Sequence, residues 1–175
     1  MKKISAYEIA LSAMSCAFAT LALTLGTLYS VLLFTGYLVA CLALMIPLSR
    51  QSYLGDLLSY LGASLLSLLF TGGRIFDLLP FIVFFGLHPL ANALQIKFKL
   101  RRWVAWAIKA VWFDVSMYLV WRFVFDMTTS FELIDRFILP VILVGGTLFF
   151  LMYDYMIFKS QLAVNRLVDR IIKKK

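Results

Sequence analysis

The stretch that decides the fold runs from Ala6 to Leu48 and reads AYEIALSAMSCAFATLALTLGTLYSVLLFTGYLVACLALMIPL. It contains a single charged side chain, Glu8, and is otherwise almost continuously apolar. A transmembrane helix needs about 20 apolar residues, because each residue rises about 1.5 Å and the bilayer hydrocarbon is about 30 Å thick. The stretch is therefore long enough for two membrane spans, which we expect to divide near Gly26 to Tyr29.

The composition of the whole chain indicates that lipid is its solvent. Of 175 residues, 63% are hydrophobic and 15% are charged, and the mean hydropathy is +0.93. Soluble domains carry roughly 45–50% apolar and about 25% charged residues. So few charges cannot cover a soluble surface, and the composition excludes an ordinary soluble enzyme.

The basic start Met1-Lys2-Lys3, followed by apolar residues, has the outline of a signal peptide. A cleavable signal needs a small-residue cleavage site after a short apolar core. Here Glu8 interrupts the beginning, and the apolar run continues to Leu48. We therefore predict that this segment is retained as the first membrane span.

Four further spans follow, and together they predict an all-α membrane protein with a bundle of about six transmembrane helices. A glycine pair, Gly72-Gly73, indicates a turn after the third span, and Pro80 and Pro89 fall within the fourth. The predicted bounds are Leu54 to Thr71, Leu78 to Leu94, Trp103 to Phe125, and Phe137 to Phe158.

Lysine and arginine are distributed unevenly between the two ends of these spans. One side receives thirteen: Lys2, Lys3, Arg50, Lys97, Lys99, Arg101, Arg102, Lys159, Arg166, Arg170, Lys173, Lys174 and Lys175. The other side receives Arg74 and Arg136. Because cytoplasmic loops carry the excess of basic residues, we expect both termini to be cytoplasmic in a multi-pass protein of the bacterial plasma membrane.

The chain divides into a six-helix transmembrane domain, residues 1–158, and a basic tail, residues 159–175. Apolar residues in the tail recur at helical spacing, for example Val164, Leu167 and Val168, between basic residues. This pattern predicts an amphipathic helix on the cytoplasmic headgroups. A plain extension of the last span with a solvated basic end is an equally open interpretation.

The first span carries Ala6, Ala10, Ala13 and Ala17 at steps of four, three and four, which places them on one helical face. Small residues let membrane helices approach closely, where packing substitutes for the weak hydrophobic drive within lipid. The face is therefore a candidate docking surface for a partner helix. Packing inside the bundle is the alternative.

Ionisable groups within the spans are costly in lipid, so each is a functional candidate until it is paired. Lys109 and Asp154 are predicted to lie at similar depth, and we expect them to form a structural pair. Asp114 lies deeper and has no obvious partner in the sequence. His88 is the only histidine, and we expect it to bond a backbone carbonyl freed by Pro89 rather than a metal.

The outer half of the fifth span presents Tyr118, Trp121, Arg122 and, at its end, Asp126. A guanidinium beside aromatic rings can bind a planar, anionic small molecule by stacking and paired hydrogen bonds. The alternative is an interfacial aromatic belt with a snorkelling arginine. On the same side Arg74 and Asp77 are either the rim of such a substrate pocket or simply solvated loop charges. These six residues are the predicted substrate contacts: Arg74, Asp77, Tyr118, Trp121, Arg122 and Asp126.

Several other functions are excluded by what the sequence lacks. It has no phosphate-binding glycine loop with lysine and no His-Glu-x-x-His pattern, and Cys16 and Cys41 lack metal-ligand or redox spacing. We therefore expect no metal, no cofactor and no ATP hydrolysis. The net charge of +8 comes from residues at span ends, where they meet anionic lipid headgroups, so we expect no nucleic acid partner.

The chain resembles the substrate-binding S components of energy-coupling factor (ECF) transporters, which import vitamins and other micronutrients into bacteria. The resemblance covers the full length: six predicted spans, a basic N-terminus, and the motifs Ala6-x-x-x-Ala10 and Ala13-x-x-x-Ala17. It implies that the alanines contact a transmembrane coupling subunit, which an ATPase pair powers. It also implies an outward pocket for a small molecule, near Tyr118, Trp121 and Arg122.

Two other classes of function stay open from the residues alone. One is a small membrane scaffold similar to the rod-shape protein MreD, which acts through protein partners. The other is a lipid-handling membrane enzyme, which would bring Asp114 beside His88, with Asp154 as a further polar group.

Overall fold

The structure of the chain is a computed structural model that describes residues 5–124 and 140–173. These two ranges are almost entirely helical and contain no β-strand. The helices, numbered in chain order, are α1 (Ala6–Leu28), α2 (Leu33–Leu48), α3 (Tyr53–Phe70), α4 (Ile75–Pro80), α5 (His88–Lys97), α6 (Arg102–Val124) and α7 (Thr147–Lys173). A 3₁₀ turn (Ser30–Leu32) precedes α2, and π-helical turns cover Phe81–Phe85 and Val141–Gly146.

Five helical segments are long and apolar enough to cross a membrane: Ala6–Leu28, Ser30–Leu48, Tyr53–Phe70, Ile75–Lys97 and Arg102–Arg122. They coincide with the first five predicted spans. Their outer surfaces are apolar, as Leu65 and Leu69 illustrate with exposed fractions of 61% and 67%. Such surfaces suit contact with lipid. The predicted start of the sixth span, Phe137, lies outside the described residues.

The first helix begins with a reciprocal cap that explains the one charge in the opening stretch. The backbone N–H of Glu8 donates to Ser5 Oγ at 3.2 Å, and the Glu8 carboxylate accepts from the backbone N–H of Ser5 at 3.0 Å. Two N–H groups at the helix start are satisfied in this way. Glu8 therefore marks where α1 begins.

Helices α1 and α2 form a close hairpin because glycine occupies both sides of their contact. A Cβ atom added to Gly36 would lie 2.7 Å from the carbonyl oxygen of Ala22 and 3.1 Å from the Cα of Gly26. No side chain larger than hydrogen fits at Gly36 unless the backbones separate. Small residues at such crossings allow the tight packing that joins helices in lipid.

Serine hydroxyls fasten α1 to its two neighbours. Ser15 Oγ donates to the carbonyl of Ala43 on α2 at 2.8 Å, and Ser59 Oγ on α3 donates to the carbonyl of Ser12 at 2.8 Å. Interhelical hydrogen bonds of this kind contribute roughly 0.6 kcal/mol each within a membrane. The buried face of α1 is therefore committed to α2 and α3.

The fourth predicted span is broken. It begins as α4, widens into the π turn Phe81–Phe85 and continues as α5, so that the helical segment is Ile75–Lys97 rather than Leu78 to Leu94. The break lies inside the protein, where Phe81 and Phe84 are fully buried. Irregular backbone is tolerated at membrane depth when protein surrounds it.

Helix α7 does not end at Phe158 but continues without interruption to Lys173. Its 27 residues correspond to a length of about 40 Å. The predicted tail therefore continues the last helix over its described part, and Val168 there is buried. Lys174 and Lys175 lie outside the described residues.

Candidate functional site

A buried polar network joins three helices that are distant in sequence. Lys109 Nζ on α6 lies 2.5 Å from Asp154 Oδ1 on α7 and 2.8 Å from Asn92 Oδ1 on α5. His88, at the start of α5, places Nε2 3.0 Å from the same Asp154 oxygen. Asp154 therefore accepts from an ammonium and an imidazole at once.

These four side chains are almost completely shielded: His88 is 0% exposed, Asp154 1%, Lys109 5% and Asn92 5%. An isolated charge at such a position is expensive, but the ammonium and the carboxylate compensate each other. The predicted Lys109–Asp154 pair is confirmed.

His88 is part of this network, and the expectation that it would bond a freed carbonyl was wrong. Pro89 lies in the first turn of α5, and the carbonyl four residues before it, that of Phe85, accepts from the Cys41 thiol at 3.1 Å and not from His88. The sequence carried a signal for the buried face on which His88 lies, although not for its partner. His88, Asn92 and Gln95 follow at steps of four and three, which marks one polar, buried face of α5.

The network does not have the composition of a metal centre. Among the described residues, no three His, Cys, Asp or Glu side chains come together as a metal would require. Two polar atoms of the network, His88 Nδ1 and Asn92 Nδ2, have no hydrogen-bond partner within the described part of the chain.

Asp114 lies at a different depth in the bundle from the network of His88, Lys109 and Asp154. Its Oδ2 accepts from the hydroxyl of Thr147, at the start of α7, at 3.1 Å. Asp154 lies seven residues further along α7, or about 10 Å along the helix axis. The structure thus pairs His88 with Asp154 and joins Asp114 to Thr147.

Asp56 is a buried carboxyl group that was not among the predicted candidates. It lies in the first turn of α3, is 0% exposed, and neither carboxylate oxygen has a hydrogen-bond partner among the described residues. Its signal was simple, because it is the only charged residue between Arg50 and Arg74. An unsatisfied buried carboxyl within a span is a functional candidate in its own right.

The described residues among the predicted substrate contacts lie on α6, on α4 and, for Arg74, directly before α4, and these two helices pack against each other. On α6, Tyr118 and Arg122 are exposed and Trp121 is half-buried. Near α4, the guanidinium of Arg74 donates to the carbonyl of Thr27 at 3.2 Å, and the carbonyl of Asp77 accepts from the Tyr37 hydroxyl.

Two of these residues thus have structural contacts: Arg74 ties the end of α1 to the start of α4, and Asp77 is tied to α2. Asp126 lies outside the described residues. The assignment of all six residues to a substrate pocket stays a prediction.

The alanine face of α1 points out of the bundle. All four alanines of the face are exposed: Ala6, Ala10, Ala13 and Ala17. The opposite face, with Leu11, Ser15 and Ala19, is the buried one. Among the described helices, the four alanines therefore do not pack inside the bundle, as the alternative would require.

In comparisons with known proteins, no family model, no curated protein and no solved structure matches this chain.

Proposed function

We propose that this chain is the membrane-embedded substrate-binding subunit of a micronutrient or vitamin importer. In this proposal a separate coupling subunit and ATPase pair supply the energy, and the chain itself catalyses no reaction and needs no cofactor. It lies in the bacterial plasma membrane with both termini in the cytoplasm. The proposal follows the resemblance to S components of ECF transporters.

The outward alanine face of α1 carries the proposal. Elsewhere on α1 the outward positions are large, as Phe18, Leu21 and Leu25 illustrate with exposed fractions of 53%, 60% and 52%. Four small side chains together form a flat strip on which another helix can lie at close range. The strip supports a partner helix docked on α1, which is the contact that an S component makes.

The substrate side of the proposal rests on the outer half of α6. Tyr118 is 39% exposed and Arg122 lies one turn further along the same face. A ring and a guanidinium on one exposed helical face are the groups that stack on, and hydrogen-bond to, a planar anion.

Co-purification with a coupling subunit tests the docking surface. Ala13→Leu and Ala17→Leu should abolish it, because a bulky side chain separates the two helices. Both positions are exposed, so the thermal stability of the isolated protein should stay unchanged. Ala107→Leu is the matched control, since Ala107 is an exposed alanine on α6, and it should keep the partner.

Two results count against this docking surface. If Ala107→Leu abolishes co-purification as well, the loss reflects general disturbance of the membrane domain. If the α1 variants lower the stability of the isolated protein instead, the alanines pack internally.

A membrane scaffold similar to MreD is the second candidate, and the packed aromatic core around Phe84 favours it. Phe84 is fully buried, and its ring centre lies 4.9 Å from the ring centres of Trp112 and Phe113. A scaffold would keep the partner contact of α1 but bind no small molecule. Ligand binding therefore separates the two candidates.

A further inference from the structure

A cavity of about 560 Å³ opens between α5, α6 and α7, at the end of the bundle where the basic residues cluster. Its floor includes Asp154, whose charge is already compensated by Lys109 at 2.5 Å. The cavity lies beside Arg102 and Trp106, at the opposite end of α6 from the predicted substrate contacts Tyr118 and Arg122.

Three cations surround this cavity: Lys99, Arg102 and Lys159. Lys99 and Arg102 lie three residues apart, in the α5–α6 loop and at the first residue of α6, and the fold brings Lys159, from the middle of α7, beside them. All three are exposed. Because Lys109 compensates the charge of Asp154, the combined field of the three cations favours an anion at the cavity mouth.

The rest of the wall is apolar and continues onto the outer surface of the bundle. Ile96, Tyr155 and Leu162 line the cavity and are 61%, 58% and 57% exposed. A soluble anion gains nothing from such a wall. A molecule with an anionic head and a hydrocarbon chain gains from both parts.

One buried hydrogen-bond acceptor in the cavity wall needs a donor from the ligand. Gln95 lines the cavity and is 9% exposed, and its Oε1 has no hydrogen-bond partner among the described residues. A buried acceptor without a donor costs free energy. A hydroxyl on the ligand head would satisfy it.

We infer that this cavity binds an anionic phospholipid of the membrane leaflet at the basic end. Its phosphate lies among Lys99, Arg102 and Lys159, a headgroup hydroxyl donates to Gln95, and an acyl chain follows Tyr155 and Leu162. The site is independent of the proposed transport function, since a scaffold would present it equally.

Quenching of Trp106 by brominated lipid tests this site, because Trp106 lines the cavity. The full chain is reconstituted in vesicles that contain, as a minor component, phosphatidylglycerol or phosphatidylcholine with brominated acyl chains. The background carries Trp103→Phe, since Trp103 is 79% exposed and reports on bulk lipid. The signal lost in a further Trp106→Phe variant defines the contribution of Trp106.

Brominated phosphatidylglycerol should quench Trp106 more strongly than brominated phosphatidylcholine at equal content. Lys99→Gln and Lys159→Gln should each lower this preference about fivefold, the equivalent of about 1 kcal/mol per basic residue. Arg102 is left in place because its guanidinium lies 4.8 Å from the centre of the Trp106 ring. Arg101→Gln removes the same charge from the same loop without touching the cavity lining, and it should leave the preference unchanged.

Three results would overturn the inference. Equal quenching by the two lipids would leave an apolar crevice without headgroup selection. An equal effect of Arg101→Gln would reduce the site to general surface attraction. Displacement of the lipid by inorganic phosphate, but not by sodium chloride of equal ionic strength, would make it a site for a free anion.

Discussion

Removing the ammonium from the buried network should destabilise the protein more than removing any exposed charge in the described chain. Lys109→Met keeps most of the side-chain volume but leaves Asp154 as a carboxylate that is 1% exposed and retains only the His88 contact. Breaking a buried ion pair by removing one partner costs about 3–5 kcal/mol. We expect a loss of this size in the free energy of unfolding.

A double-mutant cycle combines this variant with Asp154→Asn. That substitution leaves the buried Lys109 ammonium without its carboxylate partner. The double variant Lys109→Met/Asp154→Asn removes both charges, so its loss should be smaller than the sum of the two single losses by at least about 1 kcal/mol. Unfolding in mixed micelles, followed by circular dichroism, provides the free energies.

Lys97→Met is the matched control for this cycle. Lys97 ends α5, is exposed, and lies 4.3 Å above the ring of Tyr53. Its loss should cost only about 0.5–1 kcal/mol, the value of an exposed cation–π contact. If Lys109→Met costs no more than Lys97→Met, or if the two single losses simply add, Lys109 and Asp154 do not form a buried, coupled pair.

Three further predictions follow from the hairpin, the charge distribution and the outer half of α6. Gly36→Ala should lower the free energy of unfolding by about 1–3 kcal/mol, because the added Cβ would overlap the Ala22 carbonyl. Gly145→Ala should not lower it, because an added Cβ there would have no neighbouring atom within 4 Å. Equal losses for the two variants would contradict the close crossing of α1 and α2. Reporter fusions after Leu48 and Leu100 should be cytoplasmic and one after Ser130 external; a cytoplasmic Ser130 fusion would refute the six-span topology. Arg122→Lys should weaken ligand binding by at least about 1–2 kcal/mol, measured by titration, because lysine keeps the charge but loses the planar fork. Undiminished binding would make Arg122 an interfacial anchor.

The first five helical segments were predictable from the sequence because length and apolar composition alone define a candidate span. The third was predicted at Leu54 to Thr71 and occurs at Tyr53–Phe70. The π turn Phe81–Phe85 was not predictable, since its widened hydrogen bonding depends on the surrounding aromatic side chains. The fourth helical segment, Ile75–Lys97, also extends beyond the predicted bounds, Leu78 to Leu94, at both ends.

The candidate site was predictable only in part. Depth within the spans was enough to pair Lys109 with Asp154, because depth can be counted from the helix ends. The rotation of each helix about its axis cannot be counted in that way, and it decides that His88 and Asn92 join the pair. The basic cavity was out of reach for the same reason, since the rotation of α7 decides that Lys159 joins Lys99 and Arg102.

Thermal unfolding of the purified protein in the presence of water-soluble vitamins tests the central claim, that the chain binds a small molecule for import. A ligand that binds only the folded state at about a hundredfold excess over its Kd stabilises that state by about 2.7 kcal/mol. We predict that at least one compound raises the Tm by several degrees and that Arg122→Lys reduces this rise. If no compound raises the Tm while the partner still co-purifies through the alanine face of α1, the chain is a scaffold and the transport proposal is wrong.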